Sequence, residues 1–122
     1  MKNIIIIPIL NDEYSVLFCY KDPMVLLKAL KSCNYPKEQT SLSWINEQIK
    51  DRQGFTVVNP KCHPVIFLKN KPIKPEDIGT LAHEATHAVN WIFQSIQEAQ
   101  GEEFYAHSVG AIVRIVLSGN KI

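Results

Sequence analysis

The sequence predicts an α+β fold in which a small, mostly antiparallel sheet of three or four strands is covered by helices. Short β-branched runs recur between turn residues in the first 70 positions. Segments with apolar residues at helical spacing separate these runs and fill the rest of the chain. The length of 122 residues suits one domain with one core, so we expect residues 1–122 to form a single unit.

Composition and charge argue against several classes of function. The formal net charge is +1 and the lysines are scattered, which provides no electrostatic basis for binding nucleic acid or a membrane surface. The three cysteines are widely spaced, which favours a reducing compartment over a disulfide framework. The apolar stretch over residues 1–10 has no small-residue cleavage site after it, unlike a signal peptide. We therefore expect a cytoplasmic protein with neither a nucleic-acid nor a membrane partner.

The beginning of the chain predicts two strands joined by a tight turn. Residues 3–10 are a β-branched apolar run, and residues 14–20 form a second strand-like run. Asn11 and Asp12 between them suit a hairpin, and Pro8 indicates an edge position or a bulge.

Two helices are predicted next. Asp22 suits the N-cap position and Pro23 the first helical position, and apolar residues follow them at helical spacing. Thr40 or Ser41 can cap a second, shorter helix that ends at Gly54. The regular apolar spacing of both helices indicates packing in the core.

A second pair of strands is predicted before the longest helix. Residues 55–58 and 63–69 are strand-like, and residues 59–61 form the turn between them. A linker with several prolines, residues 70–75, then leads into the helix.

The longest helix is predicted over residues 76–96, with Glu76 at the positive end of its dipole. Its apolar residues lie on more than one side, as is typical of a helix buried between neighbours. After a helix stop at Gly101, a final helix is expected from about Glu102 to Leu117. The residues of this helix that are expected to face inward are Ala106, Val109, Gly110, Val113, Val116 and Leu117.

The chemistry of the chain centres on His83-Glu84-Ala85-Thr86-His87 within the longest helix. Residues four apart share a helix face, so the two imidazoles can close on one cation. This is the HExxH arrangement, in which two histidines hold Zn²⁺ and the glutamate acts as general base toward the zinc-bound water. The sequence therefore predicts zinc as the cofactor, His83 and His87 as metal ligands and Glu84 as a catalytic residue. The alternative is that both histidines are ordinary polar residues on a half-buried face.

A catalytic zinc site needs a third protein ligand, and chain geometry brings the next helix within reach. From His87 the helix rises about 15 Å to its end, and a short linker can recover roughly that distance at about 3.3 Å per residue. The spacing favours Glu103, because Ala106 and Gly110 along its stripe would allow the helices to approach closely. Glu102 remains the alternative, since periodicity alone does not separate the two carboxylates.

HEATH followed by Glu103-Phe104-Tyr105-Ala106 resembles the gluzincin zinc metallopeptidases. The similarity is greatest to the short minigluzincins and to small HExxH proteins encoded by bacteriophages, and it covers residues 63 to about 117. It implies a zincin-like active-site helix followed by a C-terminal glutamate helix, with Glu84 as general base. The zinc ligands that it implies are His83, His87 and Glu103.

The resemblance also implies a substrate-binding strand just before the active-site helix, whose backbone would pair with substrate by β-augmentation. The residues of this strand are Val65, Ile66, Phe67 and Leu68. The chain departs from the larger gluzincins four residues after the glutamate. They have an aspartate there that orients a zinc-bound histidine, whereas this chain has His107.

His107 is a second candidate catalytic residue, because it shares a helix face with Glu103. It would orient a ligand or bind the oxyanion, and the alternative is a partly buried histidine with a backbone partner. Tyr105 is a weaker oxyanion candidate. Cys62 and His63 are not expected to form a second metal pair, because adjacent strand residues face opposite sides.

These residues together predict a zinc metalloendopeptidase that hydrolyses the peptide bonds of a protein or peptide substrate. The alternative is a catalytically silent zinc-binding protein with a regulatory or inhibitory role. The small size of the chain and the missing aspartate motivate this alternative. A third possibility is a binding module without metal.

Overall fold

The computed structural model describes residues 3–9, 14–96 and 102–119, and within these ranges it forms a four-stranded mixed sheet and four α-helices. The strands are β1 (Ile5–Ile9), β2 (Tyr14–Tyr20), β3 (Gly54–Asn59) and β4 (Cys62–Leu68). The helices are α1 (Pro23–Ser32), α2 (Leu42–Ile49), α3 (Pro75–Ile96) and α4 (Glu102–Gly119), with a 3-10 turn at Lys37–Gln39 before α2. The predicted α+β class is therefore confirmed. No helix within the described ranges is long and apolar enough to cross a membrane.

The strand order of the sheet is β1-β2-β4-β3. The outer pairs, β1 with β2 and β3 with β4, are antiparallel, as the sequence predicts. The central pair, β2 with β4, is parallel. The central pair can be parallel because its two strands are joined by a long crossover connection, as a parallel pair requires. This connection contains α1, α2 and β3.

The sheet separates two apolar cores, because side chains alternate between its two faces along each strand. On β4, Ile66 and Leu68 face a core that includes residues of α3 and α4. Val65 and Phe67 face the opposite core, which includes residues of α1 and α2. Because both faces of the sheet are buried, a shift of one residue in any strand would exchange its side chains between the two cores.

β4 lies in the interior of the sheet, between β2 and β3. Its residues Val65, Ile66, Phe67 and Leu68 are at most 2% exposed. Both edges of the strand already pair with neighbouring strands, so a substrate backbone has no access to them. The expectation that these four residues form an edge strand open to a substrate backbone is therefore wrong.

Side-chain caps begin α1 and α2. The carboxylate of Asp22 accepts a hydrogen bond from the backbone N–H of Met24 at 2.9 Å, and Pro23 takes the first helical position. Ser41, rather than Thr40, caps α2, because its hydroxyl accepts from the N–H of Trp44 at 3.1 Å. A cap of this type stabilises a helix by about 1 kcal/mol.

The inward face of α4 agrees with the prediction at Val116, which is buried, and at Val109, Val113 and Leu117, which pack against the core, but it differs at two positions. Ser108, Ile112 and Val116 are buried, whereas Ala106 and Gly110 are exposed. The two small residues lie on the solvent side because larger apolar side chains fill the contact with the core. The predicted turn at Asn11 and Asp12 and the predicted helix stop at Gly101 lie outside the described residues.

Candidate metal and catalytic site

The position of α3 over the sheet depends on a close approach at Gly54, the first residue of β3. A Cβ atom added at this glycine would lie 3.0 Å from Cγ2 of Thr80 on α3 and 2.6 Å from Cδ2 of Leu68 on β4. The missing side chain therefore lets the helix rest close to the strand. One helical turn after Thr80, α3 carries Glu84 beside β3.

His83 and His87 lie one turn apart on α3, and both are exposed. Their Nε2 atoms are 3.1 Å apart, and their ring planes meet at 87°. Two nitrogens bound to one tetrahedral Zn²⁺ at about 2.0–2.1 Å would be separated by about 3.3 Å. The two imidazoles therefore fit as two ligands of one zinc ion. The same distance also suits a hydrogen bond between two neutral imidazoles, and a measurement of bound zinc distinguishes these states.

Glu84 lies beside the histidines but points toward β3, and only 7% of its surface is exposed. Its carboxylate oxygen Oε1 lies 2.8 Å from the hydroxyl of Thr56, and its backbone carbonyl lies 3.1 Å from the same hydroxyl. The hydrogen-bond partner of the carboxylate is thus on β3, whereas the two imidazoles contact each other.

A cleft of about 430 Å³ contains the two histidines and Glu84. One wall is α3, with Asn90, Trp91 and Gln94, and the other is β3 with the preceding Arg52. Along β3, Phe55 and Val57 point into the core with α1 and α2, whereas Thr56 belongs to the opposite face and contacts α3. The cleft therefore lies between α3 and an edge strand of the sheet.

The beginning of α4 lies against the part of α3 that carries the motif. The hydroxyl of Tyr105 donates to the backbone carbonyl of Thr86 at 3.0 Å, and its ring packs edge-on against Phe93, with centroids 5.2 Å apart. The side chain of Tyr105 thus connects α4 to the turn of α3 that lies between His83 and His87. The side chains of Glu102 and Glu103 themselves lie outside the described part of the structure. Among the described residues, no third histidine, cysteine or acidic side chain completes a metal site.

Two further predicted site residues, His107 and Tyr105, lie on α4. His107 is exposed on α4 and is not among the described residues that line the cleft, so its catalytic role stays a prediction. The proton of Tyr105 is engaged with Thr86, and partial burial raises the pKa of the Tyr105 phenol. This hydroxyl is therefore a poor donor for an oxyanion.

Cys62 and His63 make polar contacts with different parts of the chain. The sulfur of Cys62 lies 3.7 Å from the carbonyl oxygen of Asn34, at the end of α1. Nδ1 of His63 accepts a hydrogen bond from the backbone N–H of Ser15 at 3.4 Å.

The residue that the sequence analysis missed is Thr56. A threonine in a strand is ordinary, and its partner Glu84 is 28 positions away along the chain. The only available signal was alternation, because Thr56 stands between two apolar residues and so faces the other side of the sheet. Comparison of the chain with protein-family models, with curated proteins and with solved structures gives no match at any of the three levels.

Proposed function

We propose that this protein is a gluzincin-like zinc metallopeptidase that cleaves extended segments of protein chains. One observation carries the proposal: the Nε2 atoms of His83 and His87 converge to 3.1 Å beside the shielded carboxylate of Glu84, in a cleft at a sheet edge. Convergent imidazoles next to an uncoordinated carboxylate are the arrangement that metal-assisted peptide hydrolysis requires.

The metal ligands in this proposal are His83, His87 and a carboxylate from the first turn of α4. Glu103 is the expected third ligand, with Glu102 as the alternative. Zinc, when bound, lowers the pKa of water toward about 7 and polarises a carbonyl oxygen. The neutral imidazoles and a single carboxylate leave the net positive charge that this chemistry needs.

Glu84 is the general base of the proposed reaction. Its carboxylate accepts a proton from the water that attacks the scissile carbonyl, and then donates that proton to the leaving amine. Its small exposure supports this role, because a carboxylate shielded from bulk water keeps a defined direction. The hydroxyl of Thr56 supplies one hydrogen bond to it.

β3 takes the substrate-binding role in place of β4. It is an edge strand, so one row of its backbone N–H and C=O groups is not used by the sheet. A peptide that adds to this edge runs along the cleft that holds His83 and His87. Pairing of this kind requires an extended substrate, so loops, chain termini and unfolded proteins are the expected substrates.

The test compares wild type with Glu84→Gln on fluorescently labelled, denatured casein, with zinc measured in both proteins. We expect cleavage by Glu84→Gln to fall by about 10²- to 10⁴-fold, because the base is removed. We expect its zinc content to equal that of wild type, because Glu84 is not a ligand.

Glu76→Gln is the matched control, since Glu76 is an exposed acid in the first turn of the same helix. Its cleavage rate should equal that of wild type. Zinc analysis of Glu103→Ala and Glu102→Ala identifies the third ligand. Equal cleavage by wild type and Glu84→Gln would contradict the proposal.

One observation favours the second candidate, a silent zinc-binding regulatory protein. Within the described residues, the contacts of His83 and His87 are those with each other, and no carboxylate or carbonyl group orients either ring. Catalytic zinc sites usually have such a group, because it fixes the direction of the ligand. Full zinc occupancy without cleavage of any substrate would support this candidate.

A further inference from the structure

Thr56 contacts the proposed general base and also lies on the strand that is proposed to bind substrate. Its hydroxyl is 2.8 Å from Oε1 of Glu84 and 3.1 Å from the backbone carbonyl of the same residue. A hydroxyl has one proton to donate, and the carboxylate is the stronger acceptor of the two. The hydrogen bond therefore determines the direction in which the carboxylate of Glu84 points.

The register of β3 determines the direction of the backbone of Thr56. The N–H of Lys69 donates to the carbonyl of Gln53 at 2.8 Å, so these two residues form a hydrogen-bonded pair. Hydrogen-bonded and non-hydrogen-bonded pairs alternate along an antiparallel ladder. Thr56, opposite Ile66, therefore forms a non-hydrogen-bonded pair, and its N–H and C=O point away from β4 toward the free edge.

The alignment of β3 with α3 places this free backbone group at the level of the motif. On β3, Gly54 lies close to Thr80 of α3. Thr56, two residues after Gly54, contacts Glu84, which is four residues after Thr80. Two strand residues and four helix residues both advance by about 6 to 7 Å, so the two elements run side by side in the same direction. A substrate residue paired with Thr56 would therefore lie beside the histidine pair.

We propose that Thr56 sets the position of cleavage. Its backbone pairs with one residue of the extended substrate, and its hydroxyl holds the carboxylate of Glu84 at a fixed distance from that residue. Thr56 is a positioning residue in this scheme, because it acts through Glu84 and through substrate pairing. The inference rests on the proposed function, and it specifies which strand residue the substrate must engage.

The first experiment separates the two contributions of Thr56 by substitution. Thr56→Val keeps the size and the backbone pairing but removes the hydroxyl, so we expect kcat to fall by about tenfold or more while KM changes by less than about threefold. Thr56→Ser keeps the hydroxyl and should retain kcat within about threefold of wild type. Zinc content and thermal stability are measured for each variant.

Thr80→Val is the matched control, because it removes a threonine hydroxyl that donates to the carbonyl of Glu76 on the same side of α3. Its kcat should equal that of wild type. A Thr56→Val protein with wild-type kcat would overturn the role of the hydroxyl, while the proposed function would stand. A wild-type protein that binds zinc and cleaves nothing would overturn the proposed function, and the inference with it.

The second experiment uses binding instead of turnover. The probe is the shortest casein peptide that wild type cleaves, N-methylated at one backbone position at a time and bound to Glu84→Gln. We expect the Kd to rise about tenfold when the methyl group is on the residue opposite Thr56, and less than about twofold on either adjacent residue. An equal effect at every position would overturn the proposed pairing, because only alternate residues can bond to a strand edge.

Discussion

β3 and β4 are neighbouring strands of similar composition, yet their surroundings differ. From Val65 to Leu68, β4 is paired on both edges and buried on both faces, so this part of the strand serves the stability of the fold. β3 is paired on one edge, and of its residues only Phe55 and Val57 are buried. Its other face carries Thr56 and lines the cleft. The comparison shows that the candidate site residues lie beside the strand that has one unpaired edge and one partly exposed face.

The largest expected effect on stability is in β4. Phe67 is 2% exposed and packs edge-on against Phe55, with ring centroids 6.4 Å apart. We expect Phe67→Ala to lower the free energy of unfolding by about 3–5 kcal/mol, because it leaves a cavity in the core. Val58→Ala on half-buried β3 should lower it by less than about 1 kcal/mol. Urea denaturation measures both, and equal losses would contradict the contrast between the two strands.

An intermediate effect is expected where β3 meets α3. Gly54→Ala places a Cβ atom 2.6 Å from Cδ2 of Leu68 and 3.0 Å from the carbonyl oxygen of Phe67. We expect a loss of about 1–3 kcal/mol, because neighbouring atoms must move to relieve the overpacking.

Gly79→Ala is the control for this substitution, since an added Cβ atom there has no neighbour within 4 Å. It lies inside α3, so the change should stabilise the protein by up to about 1 kcal/mol. Thermal unfolding of both variants is the measurement. A stabilising effect of Gly54→Ala would show that β3 and α3 are less closely packed than described.

A smaller effect than that of Phe67→Ala is expected at the contact that connects the two strands. The hydroxyl of Tyr35 lies 3.0 Å from the carbonyl oxygen of Val57 on β3 and 2.6 Å from that of His63 on β4. We expect Tyr35→Phe to lower the free energy of unfolding by about 1–2 kcal/mol at neutral pH, because a buried hydrogen bond is lost.

This difference between wild type and Tyr35→Phe should depend on pH. Burial raises the pKa of Tyr35 well above its ordinary value, whereas the unfolded chain ionises near pH 10. Above about pH 10 the unfolded wild type binds fewer protons than the folded protein, so the free energy of unfolding of wild type falls. Tyr35→Phe has no phenol at this position, so it does not show this fall. The difference should therefore shrink above pH 10 in urea titrations, and a constant difference would contradict the burial of this phenol.

Local sequence signals predicted the elements of the fold well. Asp22 and Ser41 are caps whose side chains contact backbone two or three residues away, so their role is visible in the sequence itself. The HExxH turn is equally local, because helix geometry alone brings His83 and His87 together.

Features that depend on distant contacts were predicted less well. The apolar run of β4 is compatible with an interior or an edge strand, and only the parallel pairing with β2 decides between them. Ala106 and Gly110 suggested a close helix contact, but the burial of Ile112 determines how α4 is rotated. The contact of Thr56 with Glu84 joins residues 28 positions apart and leaves no local pattern in the sequence.

The alternation of β3 also makes this strand intolerant of insertions and deletions. Adding or removing one residue before position 56 would exchange the two sets of side chains, placing Phe55 or Val57 against α3 and Thr56 in the apolar core. Both the packing against α1 and α2 and the hydrogen bond to Glu84 would be lost in a single event. Homologous chains are therefore expected to vary in length at the turns on either side of β3 and not within β3 itself.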